Sequence, residues 1–293
     1  MNAVAESKPL ARILTCSEAE YRADPCSIPS LNQSTAHVLL TKSPLHAYTQ
    51  HPRLGNKPAD TTVPKIEGTV IHALLLGKGA DTIDVLNFDN YRTKFAQIAR
   101  DESINAGRTP VLACKHAEIV TAAETIRKNL AEQGMVFEGG QSEVAIEWYE
   151  EGNDGPVLCR GRLDYLIVEP MRAWIFDPKK IVSADPRTCM RHADDFGYHE
   201  QRAAYVSAVE KLRPHLAGRV EFRFGFHELD APHAVAVKDS TGSAAWVGEQ
   251  QWRRAIVTWE KCLRTGVWPG YAIEPLDVSP WTMKREEEHA EQQ

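Results

Sequence analysis

A chain of 293 residues, 43% hydrophobic and 25% charged, is large enough for one sizeable core or two modest ones and has the make-up of an ordinary globular protein. Its 34 Lys and Arg against 40 Asp and Glu leave a formal charge of −6, so no basic footprint covers the whole chain and any nucleic-acid surface must be local. The six cysteines (16, 26, 114, 159, 189 and 262) form no CxxC and sit beside no paired His, which argues against a clustered metal site and fits reduced thiols in a cytosolic protein. The opening "MNAVAESKPLARIL" lacks the apolar stretch of a signal peptide, and no window approaches a membrane span.

In chain order, residues 1–30 are polar and Pro-punctuated and read as a flexible arm. A short helix is expected from about Ser34 to Ser43, a second from Pro44, and a third from about Lys65 to Gly77 after a turn. Residues 80–110 are mixed, and 114–134 form a well-patterned amphipathic helix ending at Gly134. The texture then changes to strands. "QSEVAIEWYE" (141–150), "GPVLCRGRLDYLIVEP" and "RAWIFDPKKIV" alternate and are joined by short turns, which predicts an antiparallel three-strand meander. A helix over 194–214, two more strands and a long helix closed by Gly266 follow. Trp246, Trp252 and Trp259 recur at helical spacing on that last helix, as core or subunit contact, and the tail 282–293 reads as charged and solvated. The class is α+β, a mixed central sheet flanked by helices.

One stretch departs from a simple core strand. "WIFDPKK" places Asp177, Lys179 and Lys180 at the end of an apolar run, with Ile175, Asp177 and Lys179 on one face. In the preceding strand Arg160, Arg162 and Asp164 share a face, and the turn at 169–172 can bring Asp164 opposite Asp177. Glu143 opens the neighbouring strand. Carboxylates converging at one point repel unless a hard divalent cation neutralises them, and a nearby lysine can then orient a nucleophile. A salt-bridge ladder on a solvated sheet face is the plainer alternative, which the apolar setting of Asp177 disfavours.

With these residues in place, "GRLDYLIV…WIFDPKK" resembles the Asp…(Asp/Glu)-x-Lys signature of the PD-(D/E)xK nuclease superfamily. "EGTVIHALLLG", "SEVAIEW", "YHEQRAAYVSAV" and the two ends of the chain further resemble its RecE-type exodeoxyribonuclease VIII branch, which has lambda exonuclease and RecB-type nuclease domains as relatives. The likeness covers roughly 30 to 281, so residues 31–281 are expected to be one exonuclease domain. The resemblance implies a Mg²⁺-dependent enzyme (Mn²⁺ also serving) that degrades one strand from a duplex DNA end, 5′ to 3′. The 3′ tails would pass to a single-strand annealing protein, and the enzyme would work as a trimeric or tetrameric ring. It implies His72, Asp164, Asp177, the Pro178 carbonyl and Glu143 as metal ligands, Lys179 as the catalytic ammonium and Gln201 as holder of the attacking water. Arg160, Arg162, Ser34 and Tyr205 are the expected DNA contacts. Two departures stand out: Lys180 replaces the small hydroxyl residue usual after the motif lysine, and Pro178 lacks a ladder N–H. A bulge there would turn Lys180 inward instead of Lys179. A structure-specific or single-strand endonuclease on the same fold, or an inactive DNA-binding scaffold, are the competing readings.

Overall fold

Alternation along the central strands sorts their side chains into two cores, one on each side of a sheet. The computed structural model, which describes residues 10–55 and 63–291, places Ile175 and Leu166 in one cluster and their chain neighbours Phe176 and Tyr165 in the other. The chain opens with β1 (Ala11–Ile13) and α1 (Glu18–Arg22), followed by α2 (Gln33–Thr41), α3 (Pro44–Gln50) and α4 (Val63–Leu76). A small parallel pair, β2 (Ile83–Leu86) and β3 (Thr109–Leu112), brackets α5 (Lys94–Asn105) and leads into α6 (Ala113–Glu132). The meander is β4 (Gln141–Glu151), β5 (Pro156–Val168) and β6 (Ala173–Ile181). After α7 (Pro186–Phe196) and α8 (Tyr198–Leu212) come β7 (Val220–Glu228), β8 (Val235–Asp239), α9 (Gly242–Thr265) and α10 (Pro280–Ala290).

The main sheet runs β1-β4-β5-β6-β7-β8, antiparallel throughout except for the parallel pair β6·β7. The fold is therefore α+β with a mixed central sheet and the expected three-strand meander at its centre. Helices α4 and α6 cover the face that carries Tyr165 and Phe176, while α2, α8 and α9 cover the face that carries Ile175 and Leu166. Among the described residues no helix is long and apolar enough to cross a membrane.

Two expectations change. The supposed loose arm is built into the body from residue 10: β1 pairs with β4, and Asp24, with its side chain wholly enclosed, bonds Ser30 and Arg160. The physical reason is that Asp24 satisfies a buried arginine on β5, a long-range pairing that local polarity hides. The single helix predicted over 194–214 is two, because Gly197 takes a left-handed conformation (φ +69°) between α7 and α8. A Cβ there would stand 2.2 Å from Glu200 Oε1 and 2.4 Å from His37 Nδ1, so only glycine fits. The tail contains α10, which has no buried residue. Of the three tryptophans on α9, Trp252 and Trp259 are core and Trp246 is exposed. Residues 1–9 of the arm, the turn at 61–62 and the last two residues of the tail lie outside the described residues.

Candidate active site

Strands β5 and β6 part company at one point, and that fork creates the site. Their ladder ends at Tyr165↔Phe176, and one more step of the same register would set Asp164 against Asp177. Beyond it β6 runs on beside β7 alone, through Lys179↔Phe226 and Lys180↔His227 to Ile181↔Glu228. Pro178 falls in this stretch, where β5 is no longer a partner and a missing N–H costs no ladder bond on that side. The strand keeps register across Pro178, so no bulge exchanges the two lysines.

Side chains from both faces of the sheet meet in the gap. From α4 on one face comes His72, whose Nε2 lies 3.1 Å from Asp164 Oδ2. From α8 on the other comes Gln201, whose amide donates to Asp177 Oδ2 at 2.5 Å. Lys179 Nζ stands 2.5 Å from Asp177 Oδ1 and 4.9 Å from the centre of the Tyr198 ring. Asp177 is fully buried, whereas Lys179, Asp164 and His72 retain 20–28% of their side-chain exposure and so line an opening. Lys180 faces the other way and bonds Glu67 Oε2 at 3.1 Å.

The electrostatics follow from crowding two carboxylates into a largely buried gap. Burial, then the charge of Asp164, pushes the Asp177 carboxyl up to about 7 against the pull of Lys179. Burial works the same way on Asp164, but His72, Lys179 and Arg162 outweigh it and hold that acid below its ordinary value. Burial also opposes charge on Lys179 and on His72, yet the two aspartates raise both bases above their usual range. One oxygen of Asp177, Oδ1, has no hydrogen bond: the lysine is close but not aligned to donate. An enclosed carboxylate oxygen without a donor is suited to a cation. Among the described residues no three His, Cys, Asp or Glu side chains stand together as a ready ligand set, since His72 is turned onto Asp164 and the Lys179 ammonium occupies the cation's place at Asp177. The donors present, carboxylate and backbone oxygens with one imidazole, are those a hard divalent ion takes.

No family model matches the chain, and no curated protein does either. A solved structure does: a putative exonuclease from Eubacterium rectale, 11% identical, aligning over 92% of this chain and 98% of that one with a TM-score of 0.57. The two share a fold. A second structure, that of SSO0001, is 9% identical over 73% of this chain and 99% of that one, at a TM-score of 0.29, and carries no argument.

The remaining predicted residues divide clearly. Glu143 occupies the β4 position opposite Asp164 but adopts φ +53° and drops out of the ladder between Ser142↔Tyr165 and Val144↔Leu163. Its carboxylate lies 3.9 Å from Arg162 Nη2 rather than on the aspartates. Arg162 is partly open, stacked on Tyr21 at 5.5 Å and 3.5 Å from Glu18. Arg160 is not a surface contact: it is enclosed and bonds the Ser30 carbonyl and hydroxyl and Asp24. Its neighbour-but-one spacing from Arg162 puts it on the right strand face, but residues 24–31 fold over it. Tyr205 is likewise core, its ring against Gly161, where a Cβ would stand 2.7 Å away. Ser34 is exposed in the first turn of α2 and bonds Gln33. Sequence reasoning missed Tyr198 and Glu67. Tyr198 is three residues before Gln201 on α8 and therefore on the same face, a spacing that could have flagged it; nothing local marks Glu67.

Proposed function

We propose that this protein is a metal-dependent exodeoxyribonuclease, hydrolysing phosphodiester bonds from the end of duplex DNA. The observation that carries the reading is Asp177: fully buried, with an oxygen lacking a hydrogen bond, an ammonium beside it and a second aspartate across the fork. A carboxyl raised by burial and by a second acid beside it is characteristic of a functional site rather than of a structural fastening. The fold shared with the Eubacterium rectale protein supports the same direction.

In this reading His72, Asp164, Asp177 and the Pro178 carbonyl hold Mg²⁺ or Mn²⁺, with Glu143 serving a second ion or a water. The ion, when bound, supplies Lewis-acid polarisation of a phosphate and activation of water. Lys179 then orients the attacking water, its ammonium kept charged by the two aspartates. Gln201 fixes the Asp177 carboxylate, so that its other oxygen, beside the Lys179 ammonium, keeps one direction. Tyr198 presents its ring to the lysine, and its hydroxyl reaches His192 Nδ1 at 3.1 Å, which limits the rotamers open to Lys179. Arg162 is the candidate phosphate contact beside the opening, and Ser34 a further one. Cleavage from 5′ to 3′, a ring-shaped homo-oligomer and delivery of 3′ tails to an annealing protein belong to the same proposal and rest on the motif resemblance.

The test is digestion of end-labelled linear duplex and of closed circular duplex, each with Mg²⁺ or with EDTA. Release of nucleotides from the linear molecule alone, only with Mg²⁺, is the expected result. Cutting of the closed circle indicates an endonuclease, and DNA binding without cleavage indicates a scaffold.

A further inference from the structure

Between the fork and the solvent runs a stack of rings of which the proposed chemistry uses only the inner end. Tyr198 is buried and has the Lys179 ammonium over its ring at 4.9 Å. From there the rings continue outward onto α7. His192 lies 5.6 Å from Tyr198, and Phe196 lies 6.2 Å from Tyr198 and 4.3 Å from His192, inclined to them by 30° and 31°. The outermost ring, Phe196, is 54% exposed. One exposed phenylalanine is ordinary on a protein surface. This one ends a stack whose other end is the lysine of the fork.

Although open, the ring is held in place. Phe196 sits at the corner where α7 ends at left-handed Gly197 and α8 begins. Gln33 on α2 donates its amide to the Phe196 carbonyl at 3.1 Å and to the Gly197 carbonyl at 3.0 Å. His37, one turn further along α2, reaches the Asp195 carbonyl at 3.1 Å and Glu200 Oε1 at 2.6 Å. A phenylalanine has only two side-chain torsions, so with its backbone pinned the ring has little freedom left to lose when a ligand stacks on it.

The charges nearby choose between the two parts of a nucleotide. Asp194 and Asp195 precede Phe196 and are exposed; Asp194 is met by His199 at 3.0 Å, and Asp195 forms no ion pair among the described residues. A phosphate beside them is repelled, whereas an uncharged base is not. Inside a duplex both faces of a base are covered by its neighbours, so a protein ring can receive only a base that has left the stack. We infer that Phe196, backed by His192 and Tyr198, is a stacking platform for an unpaired base of the DNA strand that enters the fork. The inference rests on the nuclease reading for its ligand. It adds that the strand is gripped unpaired and by a base, without regard to sequence, since every base offers a flat face.

Fluorescence anisotropy of a labelled duplex with a short single-stranded overhang, of either polarity, tests this through binding, with Ca²⁺ in place of Mg²⁺ to hold back hydrolysis. Each overhang base is replaced in turn by an abasic site. The wild type should lose about tenfold in affinity when the base at one position is removed, the ordinary worth of one base on one aromatic ring. Phe196→Ala and Phe196→Leu should show about that loss on the intact overhang and no further loss on the abasic one, while Phe196→Tyr, which keeps a flat ring, should match the wild type. The ring is exposed, so an unchanged melting temperature is expected, and the abasic scan of the wild type needs no variant at all. Indifference of the wild type to every abasic position, or an equal loss for Phe196→Ala on intact and abasic overhangs, overturns the platform and leaves the nuclease reading standing. Failure of the wild type to bind any of these duplexes overturns both.

Discussion

Asp24 and Asp177 are both aspartates with fully enclosed side chains, and they behave in opposite ways. Burial raises the cost of charge on each. At Asp24 that cost is outweighed by His51, Arg160 and two bonds from Ser30, and the carboxyl is lowered to about 2. At Asp177 the neighbour is another acid, one oxygen lacks a hydrogen bond, and the carboxyl rises to about 7. The same residue type at the same depth is thus a fastening in one place and a strained, chemically available group in the other. What distinguishes them is how completely the buried charge is satisfied, not how deep it lies.

The sharpest way to break that contrast is through the lysines. Lys179→Ala should reduce Mg²⁺-dependent digestion of linear duplex by about 10²–10⁴ while leaving duplex affinity nearly intact, as expected for loss of one positioned catalytic group. Lys180→Ala, which frees Glu67 on the other face, should retain activity. The reverse pattern in a single-turnover assay would assign the chemistry to the wrong face of β6.

Next in size is stability. Removing Arg160 leaves the buried Asp24 to His51, Arg53 and Ser30 alone, and Arg160→Ala should cost about 3 kcal/mol in a urea melt. Asp177→Asn should behave oppositely in metal-free protein at alkaline pH. The sign follows from the raised carboxyl: its contribution to stability is complete below the unfolded value near 4 and is lost as pH rises through about 7. The Asn variant escapes that loss, so its melting temperature in EDTA should gain on wild type between pH 5 and pH 8, as about the interval of that titration predicts. Asp24 runs the other way, its contribution present above about pH 4 and lost as pH falls through about 2. A melting difference for Asp177→Asn that does not move across this range contradicts the picture.

Smaller effects separate the residues predicted as DNA contacts. Arg162→Ala should lower the magnitude of the salt slope of duplex binding by about 0.9, the amount for one phosphate contact, whereas Arg160→Lys should leave the slope unaltered. Equal slopes for Arg162→Ala and wild type would remove it from the interface. Tyr205→Phe, which keeps the ring packed against Gly161, should cost less than about 1 kcal/mol and leave affinity for DNA unchanged, by calorimetry and by titration respectively.

Much of this was legible in the sequence because it is local. Period-2 alternation marked β4, β5 and β6, the amphipathic repeat marked α6, and Ser43-Pro44 marked the start of α3. That Asp164 falls opposite Asp177 was readable too, since a short turn fixes the register of the hairpin that ends one step before them. Other features depended on partners far along the chain. Arg160 and Arg162 are two residues apart on one strand, yet residues 24–31 fold over the first and leave the second partly open. Tyr205 and Gln201 share a helix face, but only Gln201 falls at the fork, where the sheet opens and its amide can reach Asp177. The choice between Lys179 and Lys180 likewise needed the β6·β7 register, because alternation says which side chains share a face and not which face meets the site. Sequence alone determined the strands, the motif and their order, each set by spacing along a few residues. Which of its charged side chains are enclosed and satisfied, and which stand in the gap, was decided only when distant segments packed together, because burial and pairing are properties of the whole fold.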